Sequence, residues 1–137
     1  MTSANLELVR SIYAAWERGE FQSAEWAHPE IEFVFADGPS PGSWRGLAAM
    51  AEANRDWLQA WEEVRQVAEG YRELDATRVL GLHYFTARGK KSGLELARIR
   101  REGAAVYTIE NGKVTRLVHY FDRERALAEL GLASEAG

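Results

Sequence analysis

The closing stretch of the chain, Val106–Leu132, constrains the fold more than any other part of it. It reads VYTIENGKVTRLVHYFDRERALAELGL, two β-rich runs joined by Asn111-Gly112. Asn-Gly is the strongest short hairpin signal, because both central residues of a type I′ turn need positive φ. Glu110 and Lys113 then face each other across the turn as an opposite-charge pair. The second run ends at Asp122, a good N-cap for a helix carrying Leu127 and Leu130. Gly131 stops that helix, and Leu132 can fold back on its last turn.

The first half of the chain is helical in pattern. Leu6, Val9, Ile12, Tyr13 and Trp16 fall at helical spacing and predict an amphipathic helix that stops near Gly19. Phe21–Trp26 predicts a short second helix, closed before Pro29. Glu30–Ala36 alternates Ile31, Phe33 and Phe35 against Glu32, Val34 and Ala36, which predicts a strand. Gly38–Gly46 reads as a loop rich in turn residues. From Leu47 apolar residues recur at Met50, Trp57, Leu58 and Trp61, predicting a third helix with Asn54 on the same stripe.

The second half is strands. Glu63–Leu74 fits either a strand or an extension of the third helix. Thr77–Ala87 alternates cleanly: Val79, Gly81, His83, Phe85 and Ala87 share one face, and Arg78, Leu80, Leu82, Tyr84, Thr86 and Arg88 the other. Gly89–Gly93 turns the chain and Leu94–Arg101 runs back. Glu102-Gly103 is a bulge or a tight turn before Val106–Ile109. Helices interrupted by one strand, then a strand meander and a terminal helix, make an α+β pattern: one curved sheet with helices on one face.

Composition narrows the function classes. A chain of 137 residues with 46% hydrophobic content is most simply one domain spanning 1–137, built on one core. No stretch approaches the apolar length of a membrane span, and Met1–Val9 lacks the features of a signal peptide, so a cytoplasmic location is expected. The absence of cysteine removes disulfides, thiol nucleophiles and thiolate metal sites. A net charge of −4, with both signs interspersed, argues against a nucleic-acid partner. A small apolar organic molecule, another protein or a second copy of the chain remain.

Three local motifs, in the right order, carry a resemblance. Tyr13-Ala14-Ala15-Trp16 followed by Gly19-Glu20-Phe21 is one. His28-Pro29-Glu30-Ile31-Glu32-Phe33 with Trp44-Arg45-Gly46 is the second, and the closing hairpin and helix are the third. Together they resemble the SnoaL-like group of the nuclear transport factor 2-like superfamily. The resemblance implies a cone-shaped α+β barrel: a curved mixed or antiparallel sheet of about six strands on three helices, plus a short C-terminal helix. It also implies an apolar pocket between sheet and helices, where burial shifts pKa values. Homodimers through the outer sheet face are common in this family. Arg78, Arg98, Arg100 and Arg116, on even-numbered strand positions, are candidates for that face.

His83 is the first candidate inside the pocket, because its strand face carries no charge and the opposite face begins and ends with arginine. For His119, periodicity leaves the face open. The resemblance to limonene-epoxide-hydrolase-like relatives implies that it points inward, where they carry a catalytic aspartate. Two histidines in one pocket would supply general acid and base. Tyr13 resembles the first-helix tyrosine of ketosteroid-isomerase-like relatives, which donates a hydrogen bond to a developing enolate; it also fits an ordinary core stripe. Departures from those relatives are as telling. The isomerase carboxylates match Phe33 and Ala104 or Ala105, and the hydrolase Asp-Arg-Asp relay matches His119, His83 and Phe85. Asp122 reads as a helix cap, and Glu32 alternates away from Phe33.

Trp16, Phe33, Asn54, Trp57, Trp61 and Phe85 are the candidate ligand contacts, since aromatic rings pack well against a flat, apolar molecule. His28, His83 and His119 lack close metal-ligand spacing, so no metal is expected. The sequence therefore supports a cofactor-independent isomerase, cyclase, lyase or hydrolase using histidine acid–base chemistry. Its rival is a ligand-binding or interaction module of the same fold.

Overall fold

The structure, a computed structural model, describes residues 4–18, 20, 25–37, 41–59, 61–89 and 98–132; side chains at 57–59, 61–64, 88–89 and 98–100 fall outside that description. The elements run α1 (Ala4–Glu17), β1 (Ala27–Phe35), β2 (Gly42–Arg45), α2 (Leu47–Gln59), β3 (Trp61–Glu73), β4 (Arg78–Gly89), β5 (Arg98–Glu110), β6 (Lys113–Tyr120) and α3 (Arg123–Glu129). The six strands form one sheet in the order β2-β1-β6-β5-β4-β3. Only the β1–β6 pair is parallel; the other four pairings are antiparallel. The sheet is mixed, curved and unclosed.

Local sequence explains the best-defined elements. Val9, Ile12, Tyr13 and Trp16 fall at helical spacing and are all buried, so α1 lays one stripe against β3 and β4. At the β5–β6 turn Asn111 has φ 52° and Gly112 φ 76°, the left-handed pair a type I′ hairpin requires. Glu110 and Lys113 stand opposite each other, but the Lys113 ammonium donates to the Glu25 carbonyl and ties the hairpin to the start of β1. Asp122 Oδ1 accepts from the backbone N–H of Glu124 at 3.0 Å and of Arg125 at 3.4 Å, capping α3. At its other end Gly131 takes φ 71° and the Leu132 N–H returns to the Leu127 carbonyl at 2.8 Å.

Four expectations change, and one open alternative is resolved. Residues 42–45 form a strand rather than a loop, because their backbone pairs with Glu32–Phe35 of β1. The third helix ends at Gln59, and Trp61 opens β3 instead of closing a helical stripe. The 63–74 segment, open between strand and helix, is strand as far as Glu73. Glu102 and Gly103 make neither bulge nor turn; they pair in register with Tyr84 and His83. In the proposed second helix, residues 21–24 lie outside the described residues, and Glu25-Trp26 is a turn.

The sheet is covered on both faces, not one. On the inner face α1 and α2 cover a core that includes Ile31, Phe33, Phe35, Val79, Ala105, Tyr107 and Leu117. The alternate residues Leu80, Ala104, Val106, Val118 and Tyr120 pack with Ala126 and Leu127 of α3 on the outer face. Arg78 and Arg116 remain near the rim of that face, paired with Asp75 at 2.8 Å and Glu32 at 3.2 Å; the side chains of Arg98 and Arg100 lie outside the described residues.

Candidate functional site

The inner face is built from small residues at its middle and rings at its edges. Gly81, Gly103 and Ala105 are fully covered and keep the sheet surface low. Around them stand Tyr13 and Trp16 from α1, Phe33 and Phe35 from β1, His83 and Phe85 from β4, Tyr107 from β5, His119 from β6 and Phe121 just beyond it.

Two of the predicted groups meet directly. The Tyr13 hydroxyl and His83 Nδ1 are 2.8 Å apart in a buried hydrogen bond between residues 70 positions apart. Glycine makes that contact feasible twice over. A Cβ on Gly81 would lie 2.6 Å from the Tyr13 hydroxyl, and one on Gly103 would lie 3.0 Å from His83 Nε2 and 2.6 Å from the Tyr120 carbonyl. The Tyr107 hydroxyl is buried without a hydrogen-bond partner of ordinary geometry. It nevertheless lies close enough to Tyr13 for each phenol to affect the other's ionisation.

His119 points inward. Its ring centroid lies 5.3 Å from Phe33, 5.7 Å from Phe35 and 5.9 Å from Trp16. The reason alternation could not settle this is a register shift between Thr108 and Ile109. It turns Val114 to the inner core beside Leu117, while Val118 and Tyr120 are buried outside under α3. Both faces of β6 are therefore apolar.

Burial sets the charge state. Removal from water pushes the Tyr13 and Tyr107 phenols well above their ordinary range. The same cause lowers the His83 imidazole to about 3, with smaller contributions from the nearby His119 and Arg123 charges. His119 is only half-buried, yet enclosure by rings lowers its imidazole to about 4. At neutral pH both histidines are neutral, so each can accept a proton but neither stands ready as an imidazolium acid.

The remaining candidates divide. Trp16, Phe33 and Phe85 are buried on the inner face; Phe85 meets Phe121 at 5.5 Å, and Phe121 meets Phe35 at 5.8 Å. Asn54 is half-buried on α2 beside the core residue Ala53, and among the described residues no hydrogen bond joins it to the histidines. The side chains of Trp57 and Trp61 lie outside the described residues. His28 Nδ1 accepts from the Glu30 N–H at 3.0 Å, a local turn contact. Glu32 faces outward to Arg116. Among the described residues no group of three or more His, Asp or Glu side chains is placed to hold a metal ion.

Three groups escaped the sequence reading. Arg123 donates to the backbone carbonyls of His83 and Gly103, in the middle of β4 and β5. Asp37 accepts from the Phe121 N–H at 2.6 Å through Oδ1, with Oδ2 buried and unpartnered. Gln66, paired in register with Phe85, is buried with its Nε2 unpartnered. None belongs to a motif; only the inward side of Gln66 was legible, once β3 was known to be a strand.

The family model described as the SnoaL-like domain matches residues 9–117, which includes Tyr13, His83 and most of the sheet. The chain belongs to the SnoaL-like domain family. No curated protein matches the sequence. Solved structures with the same fold include an NTF2-like protein of unknown function from Burkholderia pseudomallei K96243, with TM-score 0.77 and 19% identity over 93% of this chain and 97% of that one. A protein from Xanthomonas campestris pv. campestris assigned as a polyketide cyclase matches at TM-score 0.70 and 19% identity, over 93% and 96% of the two chains. TerC, co-crystallised with polyporic acid, matches at TM-score 0.71 and 22% identity, over 93% and 98%. At these identities the shared property is the fold of this SnoaL-like protein.

Proposed function

We propose that this SnoaL-like protein binds a small, flat, mostly apolar organic molecule against its inner sheet face. There it moves a proton on that molecule without a cofactor. The observation that supports this reading is the convergence of Tyr13, His83 and His119, from three separate elements, on one ring-lined interior. An uncharged imidazole among rings accepts a proton when the ligand develops a compensating negative charge beside it. His119, which among the described residues receives no hydrogen bond, takes the proton from an acidic C–H of the ligand. The enolate then left beside the imidazolium is its counter-ion and holds the proton in place until it is returned. Tyr13 is already engaged by His83, so its part is to hold that imidazole in one tautomer. His83 presents its other nitrogen side towards Gly103 and the ligand space.

The test is deuterium exchange into a panel of small ketones, lactones, epoxides and polyporic acid in D2O, with the wild-type protein and His119→Phe. Phenylalanine keeps a ring among Phe33, Phe35 and Trp16. A positioned base contributes about 10²–10⁴-fold, so exchange on at least one ligand should fall by that range in the variant. Binding without exchange would instead support the second reading, a ligand-binding module with no chemistry. That reading draws on the mutual satisfaction of Tyr13 and His83, which leaves neither group idle.

Single-domain organisation over 1–137, a cytoplasmic location and a homodimer belong to the same proposal. Among the described residues no helix is long and apolar enough to cross a membrane. The part of the outer face beside α3 offers the half-buried Val67, Leu82, Tyr84 and Thr86 for a second copy. Sedimentation of the full chain checks this, and a monomer at all concentrations would remove the dimer.

A further inference from the structure

Arg123, the first residue of α3, is unusual among the described arginine side chains because it is only 17% exposed. Its guanidinium reaches four acceptors. Nη2 donates to the His83 carbonyl at 2.7 Å and to Glu69 Oε1 at 2.6 Å. Nε donates to the Gly103 carbonyl at 3.2 Å, and Nη1 lies 3.5 Å from Glu102 Oε2.

Both carbonyls lie where the strand ladder is interrupted. The β3–β4 register shifts between Ala68 and Gly70, so Glu69 is an extra residue opposite the His83 region and interrupts the ladder there. On the other side, β6 ends at Tyr120, opposite Ala104, and provides no strand beyond it for Gly103. His83 and Gly103 are themselves cross-strand partners. The ladder is thus interrupted on both sides of the cross-strand pair that carries the buried imidazole, and Arg123 donates to both of its carbonyls. An unpaired buried carbonyl is costly, and a guanidinium is the side chain whose planar fork can satisfy several acceptors at once.

We propose that Arg123 is a positioning residue for the Tyr13–His83 pair. By holding the His83 and Gly103 carbonyls together and anchoring on Glu69, it fixes the backbone from which the imidazole reaches Tyr13. The packing is close, because His83 Nε2 and the Tyr13 hydroxyl lie against the positions a Cβ on Gly103 and on Gly81 would take. The groups that face His83 are Tyr13 from α1, His119 from β6 and the Arg123 charge, which Glu69 and Glu102 partly balance. This role rests on the functional reading above only for its importance; the geometry it asserts is read without any ligand.

The experiment is histidine-selective nitrogen-15 NMR on the full chain, comparing wild type, Arg123→Lys and Arg123→Met. Wild type should show His83 as a single tautomer. Lysine keeps the charge but cannot reach Glu69 and both carbonyls with a planar fork, so Arg123→Lys should move the His83 ring nitrogens toward tautomer-averaged values. Arg123→Met should move them further, while His119 keeps its wild-type shifts in both. Wild-type His83 signals in folded Arg123→Lys would overturn the proposal, as would equal movement of His83 and His119. If Arg123→Met does not fold, the lysine variant decides alone. Failure of every ligand to bind would sink the functional reading and leave this result unchanged.

Discussion

At the scale of single residues, the most exacting position is Gly81. Its missing Cβ makes room for a phenol that is wholly buried and hydrogen-bonded, so the neighbour cannot yield. Gly81→Ala should destabilise the protein by about 1–3 kcal/mol through overpacking, measurable by urea denaturation. It should also break the Tyr13–His83 bond, visible as a change in the His83 ring-nitrogen shifts. An alanine variant of wild-type stability would mean that Tyr13 is not held where the structure puts it. Residue-level reading of the sequence identified the buried face of β4 because its alternation is regular and its opposite face opens with Arg78. It could not find the Tyr13–His83 bond, since helical spacing explains Tyr13 fully and nothing local links it to a strand 70 residues away.

Among elements, α3 is short and depends on its ends. Asp122 satisfies two of its free N–H groups, and Leu127 and Ala126 bury its inner side on the sheet. Asp122→Ala should cost about 1 kcal/mol, read as a lowered denaturation midpoint. It should also loosen Arg123, the helix's first residue, so the His83 signals should move in the same direction as in Arg123→Lys. The hairpin and this helix were legible because their determinants are local: Asn111-Gly112, Asp122 and Gly131. The β2 strand was not, because Gly42–Arg45 lies in a run of glycine, proline and serine and owes its extended form to pairing with β1. The α2–β3 boundary was equally opaque. A single residue, Ala60, separates the two elements, and the apolar stripe of the helix runs on into Trp61 of the strand.

For the molecule as a whole, the element order pointed to the cone fold. The placement of α3 on the outer face emerges only in three dimensions, where it buries Val118 and Tyr120 and so masks the direction of His119. One global consequence is a pH dependence of stability. Both imidazoles have folded pKa values below the ordinary 6.5, at about 3 and about 4. The unfolded chain therefore binds protons first, and the stability these groups contribute is complete above pH 6.5 and lost as pH falls toward 4 and below. The loss approaches about 1.4 kcal/mol per pH unit for each histidine, or about 2 kcal/mol each between pH 7 and 5. Urea denaturation at pH 7 and pH 5 checks the sum, and His119→Phe should remove roughly half of the difference.

The proposed function requires that His83 and His119 share one enclosed interior that receives the ligand. Its most direct test is an NMR pH titration of the two imidazoles, with and without the panel of ketones, lactones, epoxides and polyporic acid. Both imidazoles should stay neutral well below pH 6.5 in the free protein, and one ligand should move both sets of signals together. Ordinary titration near pH 6.5, with neither ring responding to any ligand, would contradict it.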